Sequence, residues 1–378
     1  MRTTSPQRGF TLIELLITVA LSSMVGILIY TVFINQTQAY RTQADMGSMQ
    51  QNLRVAMEML SRDLASAGFG LGQDGSTRGL EGQDGVDNEP LYALRVRNDF
   101  PAGSGSDAVE ITMMNPDRDT WGFTRPGLRI PCDTTTITFD EDYAGRASNF
   151  ATGTDNDTIV CFNPSGDSGR GISYTWLVDG AGNDTDGSVP VAANSQSDFT
   201  NLCKRALPDQ MICGPAQTVA YYIDDVSDSV GIGSQELPVL YLVSDLAELL
   251  ASNGTYPSAD DIPVALGIED LQIEVCEGGV TATNCNEASG DLTSVSWGAG
   301  LDLAVSNWED VTSVRVHLVG RTIRPDSARA NVSSPLDVDT DDGTATSGDP
   351  DGYHRRVART EVMIRNATGA WQIARSPF

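Results

Sequence analysis

Residues 8–35 read RGFTLIELLITVALSSMVGILIYTVFIN, and the fold follows from how that stretch continues. From Leu15 to Ile34 no side chain carries a formal charge, a run of about 20 residues, long enough as a helix to cross a bilayer core. The acid inside the apolar region is Glu14, and burying it in hydrocarbon is costly unless it meets a partner. Past Asn35 the helical logic persists while the character turns amphipathic. Met46, Met49, Leu53, Met57, Leu60 and Leu64 form one stripe of a 3.6-residue period. Arg54, Glu58 and Arg62 follow one another at i,i+4 on another face. No proline occurs between Pro6 and Pro90, and Ala67-Gly68-Phe69-Gly70 is the first stop signal. As one helix, residues 10–67 extend about 87 Å, far more than a compact domain needs.

The remaining chain reads as β-rich. Strands are expected at Leu91–Arg97, Ala108–Met114, Thr134–Phe139, Thr158–Phe162, Ser173–Val178, Thr218–Ile223 and Val239–Val243, from alternation or β-branched content. Leu246–Leu250 suits a single helical turn. Residues 264–276 form a strand entered through a bend at Gly267, followed by Val311–Val319 and Arg356–Asn366. Segment 179–200, rich in Gly, Asp, Asn and Ser, reads as a long excursion without core-forming periodicity. The expected architecture is α+β: a long helix whose Met/Leu stripe packs against an antiparallel sheet. Burying that stripe at about 1.5–3 kcal/mol per side chain would lock stem to head.

The chain carries a formal charge of −27 over 378 residues. Such a surface repels nucleic acid and anionic headgroups, so no direct nucleic-acid binding is expected; divalent cations or basic partners complement it. Six cysteines lie downstream of the stem, and disulfides of an extracytoplasmic compartment explain them better than buried thiols or a zinc site. The sequence-local pairing is preferred: Cys132 with Cys161, Cys203 with Cys213, and Cys276 with Cys285. In 337–343 (DVDTDDG), Asp337, Asp339 and Asp341 alternate as calcium ligands do. Gly343 falls one place late for an EF-hand, and the twelfth position is Gly348 rather than Glu. The NDTDG at 183–187 and DGVDNE at 84–89 are weaker versions, and a solvated acidic loop is the plain alternative. The two histidines, His317 and His354, and the lack of a nucleophile elbow or metalloprotease helix argue against an enzyme.

RGFTLIELL resembles the class III signal of type IV prepilins and type II secretion pseudopilins. The resemblance implies cleavage by a prepilin peptidase between Gly9 and Phe10, with Phe10 becoming an N-methylated first residue. It also implies that Glu14 neutralises the amino terminus of a neighbouring subunit and sets its register. An ordinary membrane anchor, with Glu14 at headgroup level, is the bland alternative; a secretory signal peptide has its parts in another order. Size and ending are similar to the PilW family of minor pilins, whose last strands occur in the order seen here from 264 to 366. Thr31 stands where many major pilins have proline, and the loops 278–308 and 325–353 are larger than in a minimal member.

The implied division is a leader over 1–9, a filament-core or transmembrane helix over 10–35, an amphipathic helix over 36–68, and an acidic head over 69–378. The implied role is a structural minor pilin at or near a pilus tip. Its implied partners are other pilins, the peptidase and an inner-membrane assembly platform, and it is inserted in the inner membrane before export. No cofactor is required, with calcium as an optional ligand. The alternatives are a type II secretion minor pseudopilin, an adhesin head on a pilin stem, and a repeating filament subunit.

Overall fold

The computed structural model describes residues 11–71, 93–97, 106–115, 122–124, 136–151, 158–163, 172–192, 211–226, 237–243, 261–277, 285–286, 311–325 and 352–364. Gly9, Phe10, Cys132, Cys203, the Asp337–Asp341 loop and the turn expected at Leu246–Leu250 lie outside them.

One helix, α1, runs unbroken from Leu12 to Ala65, 54 residues or about 81 Å. It passes through Gly26 and Thr31 without interruption. Thr11 caps it: its hydroxyl accepts the Glu14 amide at 3.3 Å, while Glu14 Oε2 accepts the Thr11 amide at 3.0 Å and its hydroxyl at 2.9 Å. This reciprocal box satisfies donors that a helix start otherwise leaves open. The far end stops at Ala65, two residues before the expected stop, and Gly68 takes a left-handed φ of 72° just beyond.

The strands follow: β1 (Leu94–Arg97), β2 (Ala108–Met114), β3 (Gly122–Phe123), β4 (Thr136–Thr138), β5 (Thr158–Asn163), β6 (Ile172–Leu177), β7 (Ser188–Pro190), β8 (Ile212–Val226), β9 (Leu237–Val243), β10 (Ile262–Leu266), β11 (Ile268–Glu277), β12 (Cys285–Asn286), β13 (Val311–Arg321) and β14 (Arg355–Met363). A short 3-10 helix covers Glu141–Asn149. Two antiparallel sheets dominate. One has the order β1-β2-β8-β5-β6, with β9 and β3 also pairing β8, and β10 pairing β9. The other has the order β12-β11-β13-β14, and β4 with β7 form a small third sheet. The α+β architecture expected from the sequence is therefore the observed one.

The chain changes sheet at Gly267, between β10 and β11. Its φ is +74°, its amide donates to Pro238 O at 2.7 Å, and its carbonyl accepts the Arg321 amide at 2.7 Å. A Cβ there would meet the Arg321 carbonyl oxygen at 2.6 Å, so both backbone conformation and space demand glycine. Asp107 and Ser106 tie the sheets a second time. The Asp107 carboxylate accepts the Ile273 amide at 2.8 Å, and Ser106 Oγ accepts the Leu271 amide at 3.0 Å.

The main core joins the carboxyl half of α1 to β1, β2, β8, β9, β11, β13 and β14. The buried helix face is Met49, Leu53, Ala56, Leu60 and Leu64. This corrects the expected stripe, since Met46 and Met57 are only partly buried and Ala56 is fully inside. Small residues set the approach distance. A Cβ on Gly320 of β13 would sit 2.7 Å from Leu53 Cγ, so the glycine makes room for the leucine knob. The four larger buried side chains contribute roughly 6–12 kcal/mol to holding stem and head together.

A second core gathers Ile137, Phe139, Phe150, Ile159, Trp176, Val189, Val191 and Met211 around Cys161 and Cys213. It corrects two expectations. Segment 179–200 does not merely wander: β7 within it buries Val189, and Val191 just beyond Pro190 is buried as well. Cys161 bonds to Cys213, which overturns both the expected Cys132–Cys161 and the expected Cys203–Cys213 pairs; it spans 52 residues of sequence because β5 and β8 are neighbours and these two residues face each other in register. Non-reducing peptide mapping is expected to recover that pair. Its removal as Cys161→Ser with Cys213→Ser should cost about 4 kcal/mol by the loop-entropy relation, read as a shift in denaturant midpoint. Cys276 and Cys285 are register partners of β11 and β12.

Candidate functional site

The candidate contact surface is the amino half of α1. Every residue from Thr11 to Phe33 is exposed, including Leu12 at 77% and Phe33 at 66%. It is long and apolar enough to cross a membrane by length and composition. An apolar cylinder of this size in water is an unmet hydrophobic surface and marks a lipid or protein contact. Glu14 is the one acid on it, with both its contacts made by Oε2 to Thr11. Thr18, Ser23, Thr31 and Thr37 turn their hydroxyls back onto helix carbonyls three or four residues earlier. Their polarity is thereby satisfied within the helix, as an apolar surrounding requires.

Polar latches then fix the rod to the head. Arg324 Nη2 lies 2.8 Å from Asp45 Oδ1, and Asn52 Nδ2 donates to Leu266 O at 2.8 Å. The Tyr221 hydroxyl donates to Asp63 Oδ2 at 2.6 Å, with Arg62 Nε on the other carboxylate oxygen at 2.9 Å. Arg62 thus pairs with its neighbour Asp63 rather than being held by Glu58 alone. Glu269 binds Arg355 through two contacts of 2.6 and 2.8 Å and Arg321 at 3.3 Å, with Tyr353 stacked under both guanidiniums. Tyr222 donates to Asp261 on the opposite side of β8 from the main core.

These phenols set a pH limit. Burial, then the hydrogen bond to Asp63, pushes the Tyr221 hydroxyl above its ordinary value of 10. Burial and Asp261 do the same for Tyr222. A phenol that holds its proton longer in the folded state leaves stability intact below pH ~10 and lets it fall above, as the unfolded chain ionises first. The expected slope is up to about 1.4 kcal/mol per pH unit from Tyr221. Denaturation followed from pH 8 to 12 should lose part of that slope in Tyr221→Phe.

Among the described residues, the histidines and acids singled out in the sequence lie apart from one another. His317 faces Glu274, with Nε2 at 3.2 Å from Oε1, and burial with the nearby Arg359 and Arg315 lowers its pKa against the pull of Glu274. The His354 amide donates to Thr322 Oγ1. In the 183–187 turn, Asp184 accepts the Ser148 amide and Asp186 the Ser188 amide and hydroxyl, so these acids fasten the turn. Among the described residues no three His, Cys, Asp or Glu side chains gather as a metal site. The Tyr221–Asp63 latch was missed in sequence because its partners are 158 residues apart.

The rod is apolar and bare for about half its length and built into the core of an antiparallel head for the rest. The model "Type IV Pilus-assembly protein W" matches residues 220–366, and "Prokaryotic N-terminal methylation motif" matches residues 4–30. The two matches fall on the carboxyl-terminal strands and on the start of the chain, and over those stretches the chain is similar to these families. Among solved structures, the type IV-like pilin TTHA1219 from Thermus thermophilus is 10% identical, with a TM-score of 0.32, covering 84% of this chain and 97% of that one. No curated protein matches the chain.

Proposed function

We propose that this chain is a minor pilin of a type IV pilus, held in the inner membrane by α1 and then drawn into the filament at or near its tip, where it primes assembly. The observation that carries the reading is the bare apolar half of α1 ahead of a head-bound second half. On leaving lipid, that surface must be buried again, and the stems of other pilins offer a matching one. Glu14, near the start of the rod, supplies the charge that a neighbour's amino terminus neutralises once a prepilin peptidase has cut between Gly9 and Phe10. An inner-membrane assembly platform is the remaining partner. Calcium at Asp337, Asp339 and Asp341 stays an optional feature of the head. Isolation of sheared filaments tests the reading. The chain should be present at low abundance relative to the main subunit, with an amino-terminal peptide that begins at methylated Phe10. A mature chain still beginning at Met1 would overturn it. Membership of a type II secretion pseudopilus is the alternative, and co-purification with secretion-system subunits instead of pilus subunits would favour it.

A further inference from the structure

We propose that the groove between α1 and β14 is a strand-addition site for an extended acidic segment of a neighbouring subunit. The neighbour's identity as a filament subunit rests on the pilin reading; the chemistry of the groove does not.

β14 pairs with β13 along Arg355–Met363, and among the described residues no strand pairs its other edge. An open edge carries a row of backbone donors and acceptors suited to a further strand. Alongside it lies an open groove of about 440 Å³, lined by Gln50, Arg54, Met57 and Glu58 of α1 with Arg356 and Ala358 of β14. Gln50, Arg54, Met57 and Ser61 form a helix stripe beside the buried one. The sheet stops short of covering that stripe. Met57 and Ala358 remain only partly buried, although both pack against the main core. A strand added beside β14 would lie over this stripe, with its inward side chains on Met57 and Ala358 and main-chain hydrogen bonds to the edge.

Charge selects the occupant. Arg54 and Arg356 are exposed, and among the described residues neither forms an ion pair. They face one groove carboxylate, Glu58, on a chain whose net charge is −27. A locally cationic groove on so acidic a surface repels most cationic segments and steers carboxylates to one place. An alternating apolar and acidic strand fits both the apolar floor and the guanidinium rim, the latter by paired hydrogen bonds.

The test uses the full chain in detergent micelles and a fluorescent peptide of alternating valine and glutamate. Matched controls are a valine–lysine peptide and an acidic peptide with a central proline, which cannot complete the main-chain ladder. The acidic peptide should bind with a Kd below about 1 mM, both controls should bind at least about 10-fold more weakly, and Arg54→Glu with Arg356→Glu should weaken the acidic peptide by a similar factor. If the charge reversal unfolds the head, the neutral pair Arg54→Gln with Arg356→Gln reads the same effect. Equal binding of the lysine peptide, unchanged binding by the variants, or no binding by about 1 mM overturns the proposal. No filament is needed, so failure here leaves the filament reading standing, and absence of the chain from sheared filaments would leave the groove result intact.

Discussion

Leu60→Asp is expected to detach the stem from the head. Leu60 is fully buried in the middle of the helix face, among Ala56, Leu64 and the strands of the main core. Truncation to alanine alone costs about 2–5 kcal/mol where the site cannot collapse. A carboxylate adds the cost of desolvating a charge with no partner provided for it, which takes the total to about 5 kcal/mol or more. That rivals the whole stability of an ordinary domain. Limited proteolysis should then cut within 36–68 and release the apolar rod from the head, while Glu58→Gln on the exposed face leaves the digestion pattern unchanged. Resistance of Leu60→Asp to cleavage would mean that the stem does not depend on this core.

Glu14→Gln is the second large effect, and it separates charge from hydrogen bonding. Glutamine keeps an oxygen able to accept from Thr11, so the helix start survives. What it loses is the negative charge. The proposed partner is a positively charged amino terminus, which a neutral amide attracts far less than a carboxylate does. At about 4 Å and an effective dielectric near 20 the attraction between two such opposite charges is about 4 kcal/mol. Filament-associated protein should therefore fall by about 10-fold or more, with membrane levels unchanged before assembly. Equal incorporation of Glu14→Gln and the parent chain would remove charge pairing from the proposed mechanism.

The helix and its division into bare and bound halves were legible because both signals are local: an uncharged run followed by a 3.6-residue stripe. Strands with clean alternation, such as β2 and β13, were legible for the same reason. What escaped notice depends on distant partners or small side chains. Ala56 carries little hydrophobic signal, yet it belongs to the buried face because the sheet approaches closely there. β8 is longer than the expected Thr218–Ile223: it runs through Gly214 and Pro215, residue types that strands disfavour, and Pro215 stands opposite Ile159. β7 escaped because it is three residues long and ends on Pro190, with Val189 its one buried valine. The Cys161–Cys213 bond follows from sheet order, which spacing along the chain does not encode.

The fifteen residues of β8 belong to both cores. Near one end the disulfide fastens it to β5; farther along, Tyr221 grips Asp63 on the rod. A pull on the stem that passes through Tyr221 therefore reaches the second core along one continuous backbone.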